Sequence, residues 1–169
     1  HTLAKLDVRI VVVTNGGKLA AFAEEHGMVR LSFPSLPADF QPISWSILQE
    51  KLKKLLMQSI REGAVPHAQL FLGPKGSANL ALALAFAQYV ACKNKQQDDA
   101  CGTCTSCVKH LKFVHPDLHF VFPVATTSNV KTKPVSKNFL SEWRALLDEN
   151  PYFSLFDWLK YIGVENKQG

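Results

Sequence analysis

The sequence predicts a three-layer α/β domain of phosphate-loop type, cut short, with a four-cysteine insert and a single βα unit in front of it. Three observations predict it. Ala68-Gln69-Leu70-Phe71-Leu72 leads into a glycine-bearing loop and then a long Ala/Leu helix, the order of a phosphate-binding βα unit. All four cysteines crowd between Cys92 and Cys107. An earlier apolar run, turn and Ala-rich stretch repeat the strand-to-helix order near the start of the chain.

In chain order, Leu6 to Val13 is a short β-branched run of the kind that makes a buried strand. It ends at Thr14-Asn15-Gly16-Gly17, and Lys18 to Glu25 reads as a helix. Prolines 34, 37 and 42 break both strand and helix, so a linker and a domain boundary are expected near residue 45. Ile47, Leu48, Leu52, Leu55, Leu56, Ser59 and Ile60 recur at near-helical spacing, with Lys51, Lys53 and Lys54 as the solvated face. Gly63 and Pro66 close that helix. The strand at 68–72 and a helix from about Ala78 to Ala91 follow. Leu118 to Phe122 reads as a second buried strand, ended by Pro123. The polar, basic stretch 125–138 reads as an exposed loop, with Lys131, Lys133 and Lys137 as solvated charges. Phe139 to Glu149 and Tyr152 to Ile162 read as two amphipathic helices, with Trp143, Phe153, Phe156 and Trp158 on a packing face.

Composition narrows the class. The 169 residues are 47% hydrophobic and 20% charged, a soluble globular balance, and no apolar run approaches the ~20 residues of a membrane span. The formal charge of +5 lies wholly beyond residue 45, where fifteen basic residues meet ten acidic ones; the first 45 residues carry four of each. That excess permits a nucleic-acid partner without demanding one. The chain opens on His1 with no Met and no signal layout, which points to a partial product and a cytoplasmic setting.

The loop has lost the residues that handle phosphate. Aligned on Gly73, the pattern G-x-x-x-x-G-K-[ST] puts Ala78 on the second Gly, Asn79 on the Lys and Leu80 on the Ser/Thr. Asn carries no cation for the outer phosphates, and Leu carries no hydroxyl for Mg²⁺. Lys75 sits four positions early, on the loop and not the helix start. The segment Gly73-Pro74-Lys75-Gly76-Ser77-Ala78-Asn79-Leu80 therefore reads as a degenerate phosphate loop that neither binds nor hydrolyses ATP.

The cysteines read as a metal site. Cys92-x8-Cys101-x2-Cys104-x2-Cys107 supplies four thiolates for a tetrahedral Zn²⁺, and Gly102 permits the tight turn between two of them. A closed four-sulfur shell has no open position for water or substrate, so such an ion is structural. His110 could replace a missing thiol, and an iron–sulfur cluster is a rival with the same ligands. Disulfide frameworks spread their cysteines to join distant loops, unlike this cluster.

Val65-Pro66-His67-Ala68-Gln69-Leu70-Phe71-Leu72-Gly73-Pro74, the loop helix, the cysteine spacing and His115-Pro116-Asp117 together resemble the bacterial DNA polymerase III clamp-loader AAA+ subunits. The resemblance covers about residues 46–169. It implies a partial AAA+ domain with a zinc module at 92–107. Two members matter, the tau/gamma ATPase and the delta-prime subunit. The degenerate Ala78-Asn79-Leu80 and the tail Pro151-Tyr152-Phe153-Ser154-Leu155-Phe156-Asp157-Trp158 look like delta-prime. The implied role is a non-catalytic, stator-like subunit of a hetero-oligomeric loader in the DNA-directed DNA polymerase holoenzyme. Its implied partners are the other loader subunits, the sliding clamp and primed DNA. The family's arginine finger, Walker B strand, lid and collar have no counterpart in these 169 residues, and Ser46-Ile47-Leu48-Gln49-Glu50 stands where the family reads Ile-Gly-Gln.

The first 45 residues are separate. Ile10 to Leu19 with Glu24-Glu25-His26-Gly27 is similar to the sugar-isomerase (SIS) fold of phosphoglucose/phosphomannose isomerases, which would put Thr14 to Gly17 at a phosphosugar. One βα unit is well below the ~50 residues of a small domain, so the plainer reading is a fused remnant or linker. Two rival functions follow: an ATP-binding tau/gamma-type subunit and a phosphosugar isomerase piece. His67, His115, His119 and the lysine runs read as structural or solvated.

Overall fold

The structure, a computed structural model, describes residues 9–13, 29–32, 50–72 and 78–164. The helix expected over 18–25, Thr14 to Gly17, the loop 73–77 and the tail 165–169 lie outside the described residues. Strands β1 (Arg9–Val13), β2 (Val29–Ser32) and β3 (Ala68–Leu72) form a parallel sheet of order β1-β3-β2. Helices α1 (Glu50–Arg61), α2 (Asn79–Ala91), α3 (Thr105–Leu111), α4 (Leu140–Glu149) and α5 (Leu155–Tyr161) complete the elements, with a 3-10 turn at Ser136–Phe139. The architecture is mixed α/β. β2 was not expected: four residues, Val-Arg-Leu-Ser, are too few to show a period.

The central strand is β3. Gln69, Leu70 and Phe71 are all buried, as a strand covered on both faces requires. Phe71 meets Leu56 and Met57 of α1 and Leu82, Ala83, Phe86 and Tyr89 of α2 in one apolar cluster. β1 and β2, which precede the boundary expected near residue 45, pair with β3, which follows it.

Helix α1 packs through a stripe different from the expected one. Lys53, Leu56 and Met57 are buried, whereas Leu55 is 62% exposed. Positions 53, 56, 57 and 60 follow the i, i+3, i+4, i+7 rule, and Leu55 falls on the opposite side. Lys53 thus leaves the solvated face assigned to it, since a four-carbon stem can lie along apolar surface. Gly63 (φ 65) ends the helix in a Schellman turn, with Ala64 N–H bonded to Ser59 O at 2.8 Å and Gly63 N–H to Ile60 O at 3.2 Å.

Helix α2 is apolar all round because it is covered on two sides. Leu82, Ala83, Phe86 and Tyr89 face the first cluster, while Leu80 and Leu84 pack against a second. The second cluster is aromatic: Phe122, Phe139, Trp143, Phe153 and Trp158, with Leu146 and Leu147 of α4. Phe122 stacks on Trp143 at 4.1 Å, and Trp158 stands edge-on to both, at 5.1 and 4.9 Å. The indole N–H of Trp158 donates to Pro123 O at 2.8 Å, which satisfies the polar edge of a fully buried ring. Phe156 departs from the expected packing face and is exposed.

Residues 118–122 are corrected from strand to irregular backbone. The alternation that suggested a strand is present, with Phe122 buried and Val121 94% exposed. A strand also needs a neighbour, and none pairs with this segment among the described residues. One hydroxyl takes that place at Phe122: its N–H donates to Ser136 Oγ at 3.1 Å, and Ser136 Oγ donates back to Phe122 O at 3.0 Å. The final helix begins at Leu155 and not Tyr152. Ser154 Oγ accepts from Asp157 N–H at 3.3 Å while Asp157 Oδ2 accepts from Ser154 N–H at 2.8 Å, a reciprocal cap that sets the start.

Trp158→Ala is expected to destabilise the fold by about 3–5 kcal/mol, since it empties the centre of the aromatic cluster. Phe156→Ala is expected to change stability by less than about 0.5 kcal/mol. Urea unfolding of the two variants checks both values.

Candidate metal centre

The four cysteines converge because two helices end on them. Cys92 caps the C-terminus of α2, where the backbone leaves the helix at φ −63, ψ 130. Cys104 is the N-cap of α3, and Cys107 lies in that helix's first turn. Cys101 sits on the turn between, followed by Gly102 at φ 70, the left-handed conformation glycine adopts without steric cost. The turn expected at Gly102 is therefore present.

The four sulfurs lie within 4.8 Å of one another. Cys92 and Cys101 Sγ are 3.6 Å apart, and Cys101 and Cys107 Sγ are 3.9 Å apart. Four sulfurs at about 2.3 Å from one tetrahedral centre would stand about 3.8 Å apart, so these spacings suit a single ion. Backbone N–H groups point at the sulfurs: Cys101 N–H to Cys92 Sγ at 3.4 Å, Cys104 N–H to Cys101 Sγ at 3.4 Å, and Cys107 N–H to Cys104 Sγ at 3.5 Å. Such donors favour thiolate over thiol. The donor set is all sulfur, which fits a thiophilic ion and not Mg²⁺ or Ca²⁺.

The thiols differ in acidity. The Cys107 N–H, and after it the Lys93 backbone, lower Cys104 to about 6. Cys101 is lowered by the Cys104 N–H and then that of Thr103. Burial is the main cause raising Cys107 to about 12. Cys104 is thus ready as a thiolate near neutrality, Cys101 is shifted in the same direction, and Cys107 holds its proton until something replaces it.

The module is tied to both halves of the chain. Arg61 of α1 donates to Gln97 O, and Tyr89 Oη of α2 makes a long contact with Gln96 O at 3.4 Å. On the other side Arg144 Nε of α4 donates to Phe113 O at 2.9 Å. Phe113 needs that support, since a bulky residue at φ 54 is disfavoured.

His110 does not join the cluster. It is buried, stacks on His115 at 4.3 Å, and leaves Nε2 without a hydrogen-bond partner among the described residues. Burial, with His115 adding, pushes its pKa down to about 4. Ser106, His115 and Asp117 form an arrangement missed in the sequence, because eight residues lie between the serine and the imidazole and Pro116 stands between the imidazole and the carboxylate. Ser106 Oγ lies 3.0 Å from His115 Nε2, and Asp117 Oδ2 lies 4.0 Å from Nδ1. It lacks the logic of a nucleophile and base. Asp117 N–H donates to Nδ1 at 3.2 Å, so a neutral ring carries its proton on Nε2 and donates to the serine.

At the start of α2, Asn79 is buried and turned inward. Its Oδ1 accepts from Leu80 N–H at 3.0 Å, and its Nδ2 makes a long contact with Phe71 O at 3.4 Å. Ala78 is buried beside it. Gly73 to Ser77 lie outside the described residues.

A family profile described as DNA polymerase III, delta subunit, matches residues 48–155. The chain is 38% identical to the DNA polymerase III subunit delta' of Bacillus subtilis (strain 168) over 84 residues, 48% of this chain and 25% of that protein. It is 30% identical to the subunit tau of the same organism over 79 residues, 46% of this chain and 14% of that protein. With the subunit gamma/tau of Mycoplasma genitalium it shares 29% identity over 127 residues, 74% of this chain and 19% of that protein. The chain therefore spans a quarter or less of the length of these relatives. No solved structure matches it.

In reduced, metal-free protein, alkylation of Cys104 is expected to rise with a midpoint near its pKa of about 6, while Cys107, at about 12, stays unreactive at neutral pH. Iodoacetamide labelling followed by peptide mass spectrometry across pH 5–9 checks the order.

Proposed function

The chain belongs to the family described as DNA polymerase III, delta subunit, and from that premise we propose that it acts as a non-catalytic, delta-prime-like subunit of the replication clamp loader. Residues 46–169 then form the opening of an AAA+ domain, and residues 1–45 a separate addition to it. In this reading the protein works by shape within a hetero-oligomer that opens the sliding clamp and sets it on primed DNA. No helix among the described residues is long and apolar enough to cross a membrane, which agrees with such a setting.

The observation that carries the non-catalytic reading is Asn79. A working phosphate loop needs a lysine there to reach the outer phosphates and a hydroxyl next to it for Mg²⁺. Here the side chain is a carboxamide, buried and spent on the N–H of Leu80. The helix N-terminus thus satisfies one of its own free donors with its own residue, where a phosphate would otherwise accept. Ala78 adds a methyl group at the position where a glycine would let phosphate approach. The tau/gamma reading has the support of two relatives, but it requires phosphate to bind against these side chains.

The cysteines are proposed to hold one structural Zn²⁺. Their sulfurs lie close enough to surround a single ion, and too close to surround a multi-iron core. The metal would supply a closed tetrahedral joint and no reactive position. Cys92 fixes the end of α2, Cys104 and Cys107 fix the start of α3, and Cys107 must surrender its proton for the shell to close.

Elemental analysis is expected to find one zinc per chain. Cys104→Ser is expected to lose the metal and raise protease sensitivity within residues 92–107, and a metal-free wild-type protein of equal stability would contradict the assignment. An equilibrium titration with a fluorescent ATP analogue is expected to show no saturable binding. Submicromolar affinity would favour the tau/gamma reading instead.

A further inference from the structure

Helix α3 is buried on one side only. Ser106, Cys107 and His110 are its buried residues, and at about 100° per residue they share one side of the helix, with α2 packed against it. The other side then runs, in order around the axis, Leu111, Val108, Lys112, Thr105, Lys109, and all of these are exposed. Half of that outer side is apolar and half is basic.

The end of the helix enlarges the apolar half. Phe113 N–H donates to His110 O at 2.9 Å and Val114 N–H donates to Lys109 O at 2.9 Å, the Schellman pattern, which turns the chain back along the helix. Glycine is the usual residue at the left-handed place of that turn, and here it is Phe113 at φ 54. Its side chain packs against the aromatic cluster and its carbonyl accepts from Arg144, so the turn is held from behind. The inner side is fixed as well, since His115 meets Ser106 Oγ at 3.0 Å and stacks on His110. What the strained turn presents is Val114, exposed and returned toward Val108. A single exposed aliphatic residue needs no explanation, but Val108, Leu111 and Val114 at intervals of three on a fixed backbone mark a contact surface.

We propose that this face of α3 is a docking surface for an acidic amphipathic helix of another protein. Charge sets the partner. No acidic residue occurs between Asp99 and Asp117, and Lys109 and Lys112 have no ion-pair partner among the described residues. A helix with an apolar stripe beside a stripe of carboxylates would lay the first on Leu111, Val108 and Val114 and the second on Lys112 and Lys109. Nucleic acid fits less well, because three aliphatic side chains offer nothing to phosphate and two lysines neutralise little charge. A second copy related by a two-fold axis would set these lysines against their own counterparts. The proposal concerns the outer face of the cysteine module and does not rest on the clamp-loader reading.

The test titrates the full chain into a fluorescein-labelled designed helix of about five turns, roughly 18 residues, with Leu along one stripe and Glu elsewhere. Fluorescence anisotropy is expected to show micromolar binding that weakens about tenfold when salt rises from about 50 to 300 mM. Leu111→Asp, and the double variant Lys109→Glu with Lys112→Glu, should each weaken it by about tenfold or more. Phe156→Asp, exposed on another helix, should leave it unchanged. All four residues are exposed, and unchanged emission of Trp143 and Trp158 shows that a variant has kept its fold. A twin peptide with Lys in place of every Glu should not bind. Absence of binding to the acidic helix, equal binding of the twins, or parental affinity in the Leu111 and lysine variants would each overturn the proposal. So would tighter binding of a single-stranded oligonucleotide to the same lysines, or self-association that Leu111→Asp abolishes, because the occupant would then be nucleic acid or a second copy. No arm measures ATP binding or clamp loading, so failure here leaves the proposed function standing.

Discussion

The structure depends on burying one helix, α2, on two opposite sides. A helix made almost wholly of Ala, Leu, Phe, Tyr and Val has no face to give to water. The sheet and α1 take one side, and the aromatic cluster built from Phe122 and helices α4 and α5 takes the other. Everything of functional interest then sits at the two ends. The N-terminus meets the outgoing end of β3, where a phosphate loop would work, and the C-terminus delivers Cys92 to the thiol cluster. The helix is a spacer of fixed length between the end of β3 and the thiol cluster.

That arrangement explains why the cysteine module matters beyond its own sixteen residues. It hangs between the two clusters, tied by Arg61 to the side that carries the sheet and by Arg144 to the aromatic side. Both ties end on backbone carbonyls, so they hold chain position and not side-chain identity. The acidity pattern of the thiols fits the same picture. Cys101 and Cys104 are lowered by N–H groups of the turn and helix that follow them, so their sulfurs answer to local backbone geometry. Cys107 is raised chiefly by burial, so its sulfur answers to packing. An ion bound by all four would therefore link the fold of the turn to the packing of the interior.

Much of this was legible in the sequence, and the parts that were not fail for identifiable reasons. The strand at 68–72, the helix after it, and the convergence of four cysteines depend on local pattern and short spacing, which a sequence displays directly. Lys53 and Leu55 changed places because helical periodicity over seven residues leaves the stripe's rotation loose, and tertiary packing against Phe71 chose it. Residues 118–122 carry the alternation of a strand, but pairing is a non-local property that alternation cannot supply. The start of α5 was three residues off because a short reciprocal bond between Ser154 and Asp157 outweighed the apolar pattern of Tyr152 and Phe153. The contact of Ser106 with His115 was invisible for the same reason as the missing strand partner, since it is made across a turn.

The sheet raises a different point about what joins two stretches of chain. Prolines and a change in composition near residue 45 look like a boundary, and β1, β2 and β3 nevertheless share one parallel ladder across it. These facts are compatible, because a boundary in composition marks where the chain is stiff and polar, whereas a boundary in folding marks where few interactions cross. Parallel pairing needs a connection long enough to return the chain to the same end of the sheet. Thirty-five residues separate the end of β2 at Ser32 from the start of β3 at Ala68, and α1 lies within them. A proline-rich connection of that length can carry a strand across the sheet without adding a strand of its own.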